Sequence, residues 1–223
     1  MDGLLLNTEE LYTIAISNVL KRFEKPALAW DFKVQLQGIP TKQASEMVIK
    51  HYDLPLKWEE LERLNVEEQS SLWHMAGFLP GAAELIQGLK AKGIPIALCT
   101  SSTLEKFNSK TAHLKDVFDL FDVIVTGDDK RILPNRGKPL PDIWELGLKL
   151  LNEKFNTKYL PEQCLVFEDG IAGVKAGKAF GGYVIWVPHP EAIPHLGNPD
   201  DLLEGRGEML SSLGELEKSK FAL

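Results

Sequence analysis

The sequence predicts an α/β protein, a doubly wound core with a parallel sheet that carries an all-helical insertion between its first element and the rest. Three observations predict it. From Thr8 to about His74 the apolar residues recur at helical spacing with no convincing strand. The texture changes after the turn signal Pro80-Gly81. Beyond it, short continuous apolar runs alternate with helices, the pattern of strands buried on both faces.

In the helical half, Tyr12, Ile16, Val19, Leu20 and Phe23 fall on one face, and Asn7 with Glu10 three residues on reads as a capping box. Gln43 to Tyr52 and Trp58 to about Trp73 read as further helices, parted by loops at Gly38-Ile-Pro40 and Asp53-Leu-Pro55. In the second half, Ala82 to Lys92 is a helix ended by Gly93, and Ile94 to Cys99 is a buried strand. Leu104 to Leu120 is helical in pieces, and Val123 to Thr126 is the next strand. Asp142 to about Phe155 is a helix with Ile143, Leu146, Leu150 and Leu151 on its inner face. Cys164 to Phe167 is a strand, Gly170 to Phe180 a helix and Tyr183 to Val187 a strand. The charged tail Glu215 to Lys220 reads as a solvated C-terminus.

The 223 residues, 44% hydrophobic and 26% charged, have globular values that exclude disordered and fibrous designs. Lys+Arg 25 against Asp+Glu 32 gives a net charge of −7, which argues against nucleic-acid and membrane-surface partners. An anionic substrate must therefore find positive partners locally. The two cysteines, Cys99 and Cys164, read as buried reduced thiols. No apolar stretch approaches the ~20 residues of a membrane helix, and the start lacks a basic signal region. The expectation is a soluble cytoplasmic monomer.

Open parallel sheets bind ligands at the carboxyl ends of their strands. Those ends carry Thr100-Ser-Ser102, Lys138 within Gly137-Lys-Pro-Leu-Pro-Asp142, and Glu168-Asp-Gly170, while the chain opens on Asp2-Gly3. Hydroxyls and amides hold phosphate oxygens and an ammonium neutralises them. Adjacent carboxylates suit Mg²⁺, which takes one or two carboxylates plus substrate phosphate. Each feature alone has a plainer role: Thr100 as a helix cap, Lys138 as a surface lysine, Glu168-Asp169 as acids favouring a helix N-terminus. Their joint order on strand ends favours the chemical reading.

Together these residues resemble the four motifs of the haloacid dehalogenase superfamily of phosphohydrolases. Asp2-Gly-Leu-Leu-Leu-Asn-Thr-Glu9 resembles the tail of motif one, Thr100-Ser-Ser motif two, Lys138 motif three, and Glu168-Asp-Gly-Ile-Ala-Gly173 motif four. Within the superfamily the likeness is to the pseudouridine-5′-phosphatase group, through Ile94-Pro-Ile-Ala-Leu-Cys-Thr-Ser-Ser, Gly127-Asp-Asp and Cys164-Leu-Val-Phe-Glu-Asp. The resemblance implies a Rossmann-like core of residues 1–8 and 80–223 and a small helical cap of residues 9–79. It further implies a Mg²⁺-dependent phosphatase of a small phosphorylated metabolite, such as a nucleoside 5′-monophosphate or a sugar phosphate. Asp2 is then the general acid/base, Thr100, Ser101 and Lys138 hold the phosphate, and Asp2, Glu168 and Asp169 hold the metal.

Motif one of the family reads Asp-x-Asp-Gly and follows an apolar strand. Asp2-Gly3 matches its second half, so the nucleophilic Asp and the central strand would precede Met1. If Asp2 were the nucleophile, Leu4 would have to transfer a proton, which leucine cannot do. Two facing sheet edges and a hydrophobic slot are then expected to stand unpaired. The expectation is an upstream extension ending in Asp; the alternative is a short, inactive, binding-only form. The cap is expected to choose the substrate through the loop Gln37 to Gln43, with Gly38 giving backbone freedom and Lys42 either reaching substrate or standing solvated. Thr41 and Tyr12 stand where the family's phosphoglucomutases carry an Arg and a His, which favours a phosphatase.

Overall fold

A computed structural model of the 223-residue chain describes residues 1–36 and 41–223. The loop glycine Gly38 lies outside the described residues.

The helical half begins with α1 (Thr8–Arg22) and continues through the single turn α2 (Trp30–Lys33), then α3 (Thr41–Tyr52) and α4 (Trp58–Leu72). These helices close on a core of their own, in which Ile16, Val19 and Leu20 of α1 meet Phe32, Val48, Tyr52 and Leu61. α2 was not legible as a helix, because four residues carry no period. Asn7 precedes α1 but makes no capping bond to it. Its Oδ1 accepts from the Gly77 amide at 2.8 Å, and its own amide donates back to the Gly77 carbonyl at 3.0 Å. With the antiparallel bridge Leu6–Phe78, this stitches the entry and exit of the helical segment side by side.

The α/β part follows in order: α5 (Ala82–Ala91), β1 (Ala97–Cys99), α6 (Leu104–Thr111), α7 (Lys115–Phe118), β2 (Val123–Val125), α8 (Asp142–Phe155), β3 (Leu165–Glu168), α9 (Ile171–Phe180), β4 (Tyr183–Trp186), α10 (Pro199–Leu203) and β5 (Gly207–Met209). Gly93, at φ +69°, ends α5 as expected. The strands form two parallel sheets, β1-β2 and β3-β4-β5. Strand β5 had no signal in the sequence, since Gly-Glu-Met offers neither alternation nor an apolar run, and helix α10 was missed although Asn198-Pro-Asp-Asp201 carries a helix-start pattern. At the C-terminus Leu213 and Leu216 are buried and the Phe221 ring packs on Tyr183, so the tail is anchored by its apolar side chains while Glu215 and Glu217 to Lys220 are exposed.

Among the described residues no strand pairs with the second edge of β1 or of β3. A cavity of about 680 Å³ lies between them, lined by Leu98 and Cys99 of β1, Val166 and Phe167 of β3, Trp144 of α8, and Leu5. Folded cores rarely hold voids larger than a few water molecules. The slot expected beside unpaired edges is therefore present, with Cys99 and the motif residue Glu168 among its lining. No helix is long and apolar enough to cross a membrane among the described residues.

Candidate active site

The carboxyl end of β1 delivers Thr100, which is buried, its amide donating to the Val125 carbonyl at 3.0 Å. Its Oγ1 accepts from the Ser102 amide at 3.2 Å, which turns the loop. Ser101 is exposed, and its carbonyl lies so close to Gly127 that a Cβ there would sit 2.2 Å away. Ser102 Oγ donates to Asp2 Oδ2 at 2.8 Å.

Asp2 is held from three sides. Its Oδ1 accepts from Thr8 Oγ1 at 2.7 Å and from the Lys110 ammonium at 2.6 Å, while Oδ2 takes Ser102. Burial is the largest single influence and works to raise its pKa, but the charges of Lys110 and of the Met1 amino group, with the hydrogen bonds from Lys110 and Thr8, together outweigh it and hold the carboxyl below its ordinary value. Gly3 follows in the left-handed region, φ +68°, where a Cβ would stand 2.5 Å from Asp169 Oδ2. Glycine is required there on both counts, torsion and close approach.

At the end of β3, Glu168 is buried and Asp169 partly buried. A Cβ on Gly173 would fall 2.1 Å from Glu168 Oε2, so the first turn of α9 closes directly over that carboxylate. Lys138 completes the circuit. Its Nζ lies 2.6 Å from Glu168 Oε1, an ion pair lacking hydrogen-bond alignment, and donates to the Cys99 carbonyl at 3.1 Å. Contacts thus run in a ring from Thr100 through Ser102, Asp2, Gly3, Asp169, Glu168 and Lys138 back to Cys99, the residue before Thr100.

Burial, and then the negative charge of Glu168, push the Asp169 carboxyl up to about 7. A carboxylate that costly to ionise beside another acid has the chemistry of a cation ligand, and the hard oxygen pair fits Mg²⁺. Glu168 and Asp169 would hold the ion, which would supply charge neutralisation for a bound phosphate. Asp2 does not join them through its side chain, which faces Lys110. Among the described residues no three His, Cys, Asp or Glu side chains gather as a metal-holding group. Any part for Asp2 at the metal falls to its backbone carbonyl.

Lys42 is not brought to this ring. It is an exposed residue of α3, 3.9 Å from Glu46 and over the Trp58 ring at 5.9 Å. Lys110 and Thr8, by contrast, belong to the site and were missed from sequence. The available signal was that Lys110 and Thr111 stand three and four residues after Phe107, on its side of the helix.

The sequence model of haloacid dehalogenase-like hydrolases matches residues 1–181. A probable pseudouridine-5′-phosphatase of Saccharomyces cerevisiae is 58% identical over 223 residues, covering 100% of this chain and 94% of that protein. A probable pseudouridine-5′-phosphatase of Drosophila melanogaster is 34% identical, covering 100% and 91%. The crystal structure of a candidate beta-phosphoglucomutase from Thermotoga maritima superposes with a TM-score of 0.76 at 30% identity, covering 100% and 97%. The motif residues, the architecture and these likenesses agree, and the chain belongs to the haloacid dehalogenase-like hydrolase family.

Proposed function

We propose that the chain is a Mg²⁺-dependent phosphatase of a small phosphate monoester, with a nucleoside 5′-monophosphate of the pseudouridine type as the leading substrate class. The observation that carries the reading is the ring of contacts joining Asp2, Thr100, Lys138, Glu168 and Asp169 at one rim. It brings together one ammonium, a hydroxyl loop and a pair of metal-suited acids, the groups that a bound dianion requires. The two pseudouridine-5′-phosphatase relatives supply the substrate class.

In this reading the attacking carboxylate belongs to a residue immediately upstream of Met1. It displaces the leaving oxygen in line, forming an aspartyl-phosphate. Lys138 and Thr100 stabilise the equatorial oxygens. Asp2, ionised in the free chain, serves as acid to the leaving group once the negative charge of bound phosphate has raised its pKa and it has taken up a proton, and then as base toward water. The cap formed by residues 9–79 excludes bulk water and selects the ester.

The test extends the chain at Met1 by a short apolar run ending in Asp, with an Asn-ending control. Both are assayed, with the 223-residue chain, on nucleoside and sugar monophosphates with and without Mg²⁺. The expected result is Mg²⁺-dependent phosphate release by the Asp form alone. Equal release by the Asn form would remove the nucleophile assignment. Interconversion of sugar-phosphate isomers would favour the mutase activity suggested by the Thermotoga likeness.

A further inference from the structure

Lys110 is fully buried, and the reaction proposed above gives it no step. Its ammonium has three donors, and each finds an oxygen: Asp2 Oδ1 at 2.6 Å, Tyr12 Oη at 2.7 Å and Ser102 Oγ at 3.0 Å. The rings of Tyr12 and Trp73 flank it at 4.9 and 5.0 Å. Burying an ammonium carries a desolvation cost that a Met or Leu of similar size would avoid. A side chain chosen only to fill this space would not carry a charge. The three oxygens come from three separate parts of the molecule: the N-terminal segment, the loop after β1, and helix α1 of the helical half.

We propose that Lys110 is a positioning residue for Asp2. With Thr8 and Ser102 it supplies the third of three donors that fix the plane of the Asp2 carboxylate. Through Tyr12 it also ties that plane to α1, so the seat of the helical half and the aim of the acid/base group are set together. Lys110 touches no solvent and so does not itself meet substrate. The inference rests on the reading of Asp2 as the proton-transfer group, and it is tested in a way that does not depend on turnover.

Crystal structures of Lys110→Met and Tyr12→Phe give that test. In Lys110→Met the Asp2 carboxylate is expected to leave Thr8, Ser102 or both; its retention of both contacts overturns the proposal. In Tyr12→Phe the Lys110–Asp2 contact is expected to persist while α1 shifts relative to Ser102, and an unmoved α1 overturns the link to the helical half. Should Lys110→Met fail to fold, Lys110→Arg and Tyr12→Phe carry the same comparison. In the form that turns over, Lys110→Met should lower kcat by about 10–100-fold with KM little changed, and Lys110→Arg should retain more turnover than Met. Equal loss in Met and Arg variants would mark a packing role and overturn the inference. A wild-type protein without phosphatase activity counts against the functional reading alone, because the orientation of Asp2 in the crystals still decides this one.

Discussion

Lys138 Nζ stands 2.6 Å from Glu168 Oε1 at the end of β3 and 3.1 Å from the Cys99 carbonyl at the end of β1. One ammonium therefore bridges two sheets that share no strand pairing. Removing it by Lys138→Met leaves the buried Glu168 carboxylate without a counter-charge. Breaking one side of a buried pair costs about 3–5 kcal/mol, so urea unfolding should show a loss of that order. The double variant Lys138→Met/Glu168→Gln should recover most of it, because the orphaned charge is gone. Mg²⁺ should protect the single variant more than the double, by binding the folded state. An additive double variant would show that the pair is not coupled.

Asp169 makes stability depend on pH in a direction opposite to most acids. Its ordinary carboxyl value is 3.8, and burial beside Glu168 raises it to about 7 in the folded chain. Below about pH 4 both states hold the proton and no difference arises. Between about 4 and 7 the folded state keeps a proton that the unfolded state has lost, so this group lowers stability as pH rises. Above 7 both are ionised and the penalty is constant. Asp2 acts in the other sense: its lowered pKa adds stability above 3.8 that is lost as acid protonates it. Asp169→Asn should therefore gain melting temperature over wild type from pH 4 to pH 7, and saturating Mg²⁺ should shrink that gain. Parallel curves for the two proteins would reject the assignment.

The strands that carry the site were legible because they are continuous apolar runs bounded by helices, and Thr100 and Glu168-Asp169 stand directly at their ends, while Lys138 closes the loop after β2. What was illegible depends on contacts across long sequence separations. Asn7 and Glu10 have the spacing of a capping box, yet the Asn7 side chain bonds Gly77, seventy residues away. Lys110 lies in an amphipathic helix where a lysine ordinarily faces water, and its burial is explained by Asp2 and Tyr12, 108 and 98 residues earlier, with Ser102. β5 is held by its register with β4, Val184 to Gly207 and Trp186 to Met209, rather than by any pattern of its own.

Gly173 is the tightest steric test of the site. A methyl group there would overlap both carboxylate oxygens of Glu168, at 2.1 and 2.6 Å. Helical glycine to alanine normally gains about 0.5–1 kcal/mol, so a loss would itself identify the crowding. Gly173→Ala should destabilise by about 1–3 kcal/mol and weaken Mg²⁺ binding by turning Glu168 away from Lys138. In a Glu168→Ala background the obstacle is absent, and the same substitution should become neutral or stabilising. Calorimetric melting of the four proteins reads the coupling, and a destabilisation unchanged by Glu168→Ala would place the strain elsewhere.

The slot between β1 and β3 is lined mainly by apolar side chains, with Glu168 and Gln163 at its margin, and the indole Nε1 of Trp144 on its wall is buried without a partner. Apolar cavities of even about 150 Å³ stay dry and take up benzene or xenon, and this one is about 680 Å³. The 223-residue chain should therefore bind small aromatic solutes and an amphiphilic dye, with a change in tryptophan emission. Extending the chain at Met1 by an apolar run gives the free edges of β1 and β3 a strand to pair with, and Met1 already lines the slot. Such an extension should abolish dye binding and raise the melting temperature, whereas an extension of equal length rich in Gly and Asp should do neither. Dye binding that survives the apolar extension would mean that the slot is not where the added residues go, and the upstream strand would lose its physical basis.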